Sequence, residues 1–82
     1  MTDAEILKMI EAAIREETEN PSVVVTPTTT AMDVPGWDSL AHGRIMLAIE
    51  IASSAHLDID KTYAATCVGD LIPLIRAGMA PN

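Results

Sequence analysis

A chain of 82 residues with twelve acidic and five basic side chains carries a net charge of −7, which argues against nucleic acid and anionic membrane surfaces as partners. The length allows one small domain over 1–82 and no deep multi-residue active site. Apolar residues make up 49%, but with no Phe, one Trp and one Tyr the core must be aliphatic, which suits packed helices.

The chain opens with Thr2 and Glu5 at capping-box spacing, and Ile6, Met9, Ile10, Ala13 and Ile14 follow at helical intervals. Lys8, Glu11 and Arg15 lie off that stripe and can pair along the exposed side. This first helix is expected to end at Thr18 to Asn20, ahead of Pro21. Residues 19–37 then form a long connection rich in Pro and Thr, in which Val23, Val24 and Val25 have no second strand to pair with. The expectation is a loop whose valines cover the core.

A second helix is expected over 39–54. At 100° per residue, Leu40, Leu47 and Ile51 share one side, Ile45 and Ile49 another, and Met46 a third. A helix apolar nearly all round is central to a fold or offers a sticky side to a partner. Leu57, Ile59 and Tyr63 indicate a short third helix. A fourth should start near Thr66 and end at Gly78, a good C-cap type. Pro73 demands either a kink near Gly69 or a start late enough to put Pro73 in the first turn.

No apolar run approaches the length of a membrane span, and Met1-Thr2-Asp3-Ala4-Glu5 lacks the basic and apolar parts of a signal peptide. A single cysteine excludes an internal disulfide and fits a reducing compartment. The expected setting is the cytoplasm.

The chemistry concentrates at Gly36-Trp37-Asp38-Ser39-Leu40, a turn followed at once by a helix. Asp38 is a favoured N-cap type, worth about 1 kcal/mol. Ser39 then falls in the exposed first turn, where unpaired N–H groups and the helix dipole favour an anion such as a phosphate ester. A nucleophilic role fails on size, on Trp37 standing where Gly-Asp-Ser-Leu hydrolases have glycine, and on the missing oxyanion-hole motif. His42 lies one turn after Ser39 and reads as an exposed polar residue of an interaction surface. His56 reads as a loop residue. Neither has partners at metal-ligand spacing, so no metal is assigned. No basic neighbour activates Cys67 in sequence, which reads as an inert, mostly buried thiol. Trp37 is expected to pack over the loop.

The Trp37-Asp38-Ser39-Leu40 motif in a short acidic chain resembles the attachment site of acyl carrier proteins. Val25-Thr26-Pro27 through Val34-Pro35 is similar to that family's long first connection, Ile49-Glu50 to its Leu-Glu pair, and Cys67 to Ile72 to the start of its last helix. The resemblance runs in family order over nearly the whole chain. It implies an all-α four-helix bundle of the acyl carrier protein type, with a long loop between helices 1 and 2 and a short third helix. It also implies a non-enzymatic, monomeric carrier with 4′-phosphopantetheine, delivered from coenzyme A, on Ser39. Asp38 would orient the serine and help bind the metal during transfer. The implied partners are a phosphopantetheinyl transferase and acyl-loading and acyl-processing enzymes.

Fatty-acid carriers usually present acidic residues along the second helix, where this chain has Ala41, Arg44 and Ile51 and keeps only Glu50. Gly43 replaces an apolar side chain, and Ser53 an aromatic one, which suggests a looser interior. The expected partner surface is Leu40, His42, Arg44 and Ile51, serving a specialised pathway. An aminoacyl or peptidyl carrier, or an unmodified helical interaction module, are the alternative readings.

Overall fold

A computed structural model of the protein describes residues 1–79. The chain forms α1 (Asp3–Glu17), α2 (Ser39–Ser53), α3 (Ile59–Thr62) and α4 (Val68–Gly78). α1 packs on α2 and α4, and the single turn of α3 bridges α2 and α4. Among the described residues no helix is long and apolar enough to cross a membrane.

The Thr2 side chain caps α1 by accepting from the Glu5 N–H, and the Glu5 carboxylate accepts the Thr2 N–H in return. Hydrogen bonding to the carboxylate, first from the Thr2 backbone N–H and then from the Thr2 side chain, favours the charged form and holds the Glu5 carboxyl below its usual range. One stripe of α1 (Ile6, Ile10, Ala13, Ile14) meets Ile45, Met46 and Ile49 of α2 and Val68, Leu71 and Ile75 of α4 in a wholly aliphatic core. Each fully buried side chain of this kind contributes roughly 1.5–3 kcal/mol of transfer energy.

The long connection is pinned from both sides. Glu11 and Arg15 form an ion pair at 3.4 Å. They also grip the valine backbone: Arg15 Nε donates to the Val23 carbonyl at 2.8 Å, and Glu11 Oε2 accepts the Val25 N–H at 2.9 Å. Val25 is buried and Val23 packs on the core, but Val24 is exposed, so the valines cover the core only at alternate positions. Further along, Ala31–Asp33 forms a 3-10 turn within the stretch expected to be loop. The Asp33 carboxylate accepts the Thr30 N–H at 2.9 Å.

α4 starts at Val68 with Cys67 as an N-cap that makes no side-chain hydrogen bond. The connection does the capping instead: the Thr29 carbonyl accepts the Val68 N–H at 2.8 Å, and the Pro27 carbonyl accepts the Gly69 N–H at 2.7 Å. A Cβ on Gly69 would lie 2.9 Å from that Pro27 oxygen, so only glycine permits the approach. Pro73 lies inside α4, six residues in, which rules out a late start. Its ring is exposed, and the group that loses a helical bond to it is the Gly69 carbonyl, four residues back.

Candidate functional site

Val34-Pro35-Gly36-Trp37 makes the turn that delivers the motif. The Val34 carbonyl accepts the Trp37 N–H at 3.2 Å, and Gly36 has φ +89°. Pro at the second position and a left-handed Gly at the third are what a type II turn requires. Asp38 follows in extended backbone as the N-cap of α2, and its Oδ1 accepts the Ala41 N–H at 2.8 Å. Ser39 is the first residue of α2 and is exposed. Two positions of the motif therefore stand as expected: the cap and the solvent-facing serine beside first-turn N–H groups.

Beside Ser39 is a cavity of about 270 Å³ between the start of α2, α3 and the start of α4, bounded among others by Trp37, His42, Thr62, Tyr63 and Cys67. Its mouth is clasped from α3, where the Tyr63 hydroxyl donates to the Ser39 carbonyl at 3.1 Å. The phenol crosses the face of Gly43, at which an added Cβ would meet it at 3.6 Å. Gly43 is thus the seat of an outer clasp rather than a gap in the core. Ser53, the other expected loosening, ends α2 with its own bonds: Oγ donates to the Ile49 carbonyl at 2.6 Å and accepts the Ala55 N–H at 3.0 Å.

His42 departs from the sequence-based expectation. It is not on the surface but 9% exposed, because its position on α2 faces α3. Trp37 Nε1 donates to His42 Nδ1 at 3.1 Å, and His42 Nε2 lies 2.8 Å from Thr62 Oγ1. Indole nitrogen only donates, so Nδ1 is the acceptor and the neutral ring carries its proton on Nε2. Nε2–H then donates to Thr62, whose hydroxyl donates on to the Ile59 carbonyl at 2.6 Å. Trp37 stacks on the imidazole, and the Tyr63 ring lies 4.3 Å from it, centroid to centroid. Burial disfavours the charged ring and lowers the His42 pKa. Trp37, expected to pack over the loop, instead packs on this histidine and against the aliphatic core.

Cys67 is half-buried and borders the cavity rather than lying mostly buried. The Asp70 carboxylate accepts the Thr66 N–H at 3.0 Å and the Thr66 hydroxyl at 2.9 Å. Those bonds hold its pKa below the usual carboxylate range.

Leu40, Leu47 and Ile51 are 77, 53 and 75% exposed. With Arg44 they fall within about 60° of one another around α2, opposite the buried Ile45 and Ile49. Arg44 Nε lies 3.7 Å from Glu17 Oε1 of α1, its side chain still more than half exposed. Ala41 is fully buried and Glu50 accepts the Leu57 N–H at 3.0 Å. Of the four positions compared with fatty-acid carriers, only Arg44 and Ile51 face solvent without a structural duty in the core or a loop.

No protein-family model and no curated protein matches this chain. Among solved structures, the solution NMR structure of holo acyl carrier protein from Geobacter metallireducens is similar over 87% of this chain and 85% of that chain. Its TM-score is 0.72 and its sequence identity 26%. The likeness, over nearly the whole of both chains, supports the acyl carrier protein family and a carrier role for this protein. Among the described residues, the all-helical bundle of four α-helices matches the fold of that family.

Proposed function

We propose that this protein is a carrier that holds acyl intermediates as thioesters on 4′-phosphopantetheine attached to Ser39. The observation that carries the reading is the placement of Ser39: exposed, first in α2, directly after a capping aspartate, and at the mouth of a cavity. The similar carrier protein from Geobacter metallireducens is a holo form, in keeping with such an arm here. The residues fit the group. First-turn N–H groups favour the phosphate of the ester, and the cavity borders the serine. Asp38 is exposed, with Oδ1 taken by the cap, which leaves its other oxygen for a metal during transfer. The arm supplies a thiol for the thioester; this chain supplies attachment, presentation and partner choice.

The partners proposed are a phosphopantetheinyl transferase and acyl-loading and acyl-processing enzymes, met by a monomer in the cytoplasm. Leu40, Arg44 and Ile51, with Leu47, form the contact surface. An apolar stripe with a cation supports a specialised pathway over bulk fatty-acid synthesis, because a basic docking patch would be repelled by Arg44. The protein itself does not catalyse.

The test is incubation with coenzyme A, Mg²⁺ and a broad-specificity transferase, followed by mass spectrometry. One phosphopantetheine is expected on the wild type and none on Ser39→Ala, with helical circular dichroism unchanged. Addition at another serine, or none where a control carrier is loaded, refutes the attachment.

A further inference from the structure

The lining of the cavity beside Ser39 includes buried polar side chains. Among the described residues the buried polar side chains are Thr29, His42 and Thr62, and two of these three line the cavity. His42 and Thr62 are 9% and 1% exposed and bonded to each other across the seam between α2 and α3. Both ends of the bond are anchored, at Trp37 and at the Ile59 carbonyl. No buried side-chain nitrogen or oxygen among the described residues lacks a partner. One and two helical turns beyond His42 on α2 stand Met46 and Ile49, both fully buried.

We propose that the His42–Thr62 pair is a specificity gate, holding the group carried on Ser39 to short or polar acyl chains and keeping long alkyl chains out of the core. The inference rests on the carrier reading of Ser39. A chain that reached Met46 along this seam would have to part the imidazole from the hydroxyl. It would leave a donor and an acceptor buried against methylenes, a penalty that burial of the alkyl chain does not remove. Above the gate, about 270 Å³ is slightly under the roughly 300 Å³ at which pockets for drug-sized ligands begin. Thr66 and Cys67 add polar atoms to its wall, so a small carbonyl or hydroxyl-bearing group finds partners there.

The gate is tested on the full chain with two probes. Butyryl and decanoyl groups are loaded on Ser39 from their coenzyme A thioesters, and free decanoyl pantetheine, which needs no attachment, is titrated in parallel. In the wild type, butyryl should shift Thr62 and Cys67 signals by NMR, while decanoyl should leave the Met46 and Ile49 methyls unmoved and its thioester open to hydroxylamine. In His42→Leu with Thr62→Val, decanoyl should shift both methyls and its thioester should be cleaved about tenfold more slowly. The free probe should bind only that double variant. Each single variant is tested too, so that one misfolded protein does not decide the result. Core methyl shifts by decanoyl in the wild type, or a double variant that admits neither probe, overturn the gate. Failure to load Ser39 at all refutes the carrier reading instead, and the free probe still decides the gate.

Discussion

The hydroxyl of Tyr63 donates to the carbonyl oxygen of Ser39 at 3.1 Å, so the residue that closes α3 holds the backbone of the residue that opens α2. The clasp is made across a glycine and over an imidazole, and it ties Ser39 to the third helix without touching the serine hydroxyl. Tyr63→Phe removes that bond and keeps the ring. Because the clasp is half exposed, a loss of about 0.5–1 kcal/mol is expected in urea denaturation. Amide exchange at residues 39–43 should quicken more than at the centre of α2. Equal quickening along the whole helix would contradict a local clasp.

Glycines 43 and 69 should respond in opposite directions to alanine. At Gly43 the new Cβ makes an ordinary contact with the Tyr63 hydroxyl, 3.6 Å away, and helix propensity favours alanine by about 1 kcal/mol. Gly43→Ala should raise the melting temperature. Gly69→Ala drives its Cβ to 2.9 Å from the Pro27 oxygen and should lower it. A destabilised Gly43→Ala would mean that the bare helix face does more than seat the phenol.

His42 makes stability depend on pH. Burial lowers its folded pKa, so the unfolded chain binds more protons in the window between the two values, and stability there rises with pH. The contribution is complete above the unfolded value of about 6.5 and is lost as pH falls through the lower folded value. Protonation also places a second N–H against the indole N–H of Trp37. The difference in urea midpoint between wild type and His42→Gln should shrink from pH 7.5 to pH 5; a constant difference would refute the assignment.

Partner choice should follow charge at the exposed stripe. Ile51 is 75% exposed, so Arg44→Glu with Ile51→Glu should leave the melting temperature within a few degrees. The same variant should be loaded faster by a fatty acyl synthetase at low salt, with the gain falling as salt rises. A wild type already loaded as well as a fatty-acid carrier, or no change in rate, would count against the specialised partner.

The aliphatic stripes, the caps at Thr2 and Asp38 and the Pro-Gly turn are legible in the sequence because each depends on residues within a few positions of one another. The unequal sides of α2 are legible as well, and the structure separates them into one buried face and one exposed face. The burial of His42 is not, because its environment comes from Thr62, twenty residues away, and from Trp37 folding back onto it; an isolated polar residue at a helix start carries no local sign of burial. The start of α4 at Val68 and Gly69 is likewise set by Thr29 and Pro27, whose carbonyls cap it across the fold. The Thr30–Asp33 turn does carry a local sign, a Thr and an Asp three apart, within a stretch dominated by prolines and threonines.

Trp37 is the one tryptophan of the chain, and it sits two residues before Ser39 with its ring on an imidazole. The protein therefore carries a built-in optical probe beside Ser39, the proposed attachment point. An indole stacked on a neutral histidine loses emission when that histidine gains a proton, and it shifts colour when water is driven from its surroundings. If Ser39 is loaded as proposed, intrinsic fluorescence of the unlabelled chain should thus follow that loading and the protonation of His42 in real time, with no competing tryptophan signal from elsewhere in the chain.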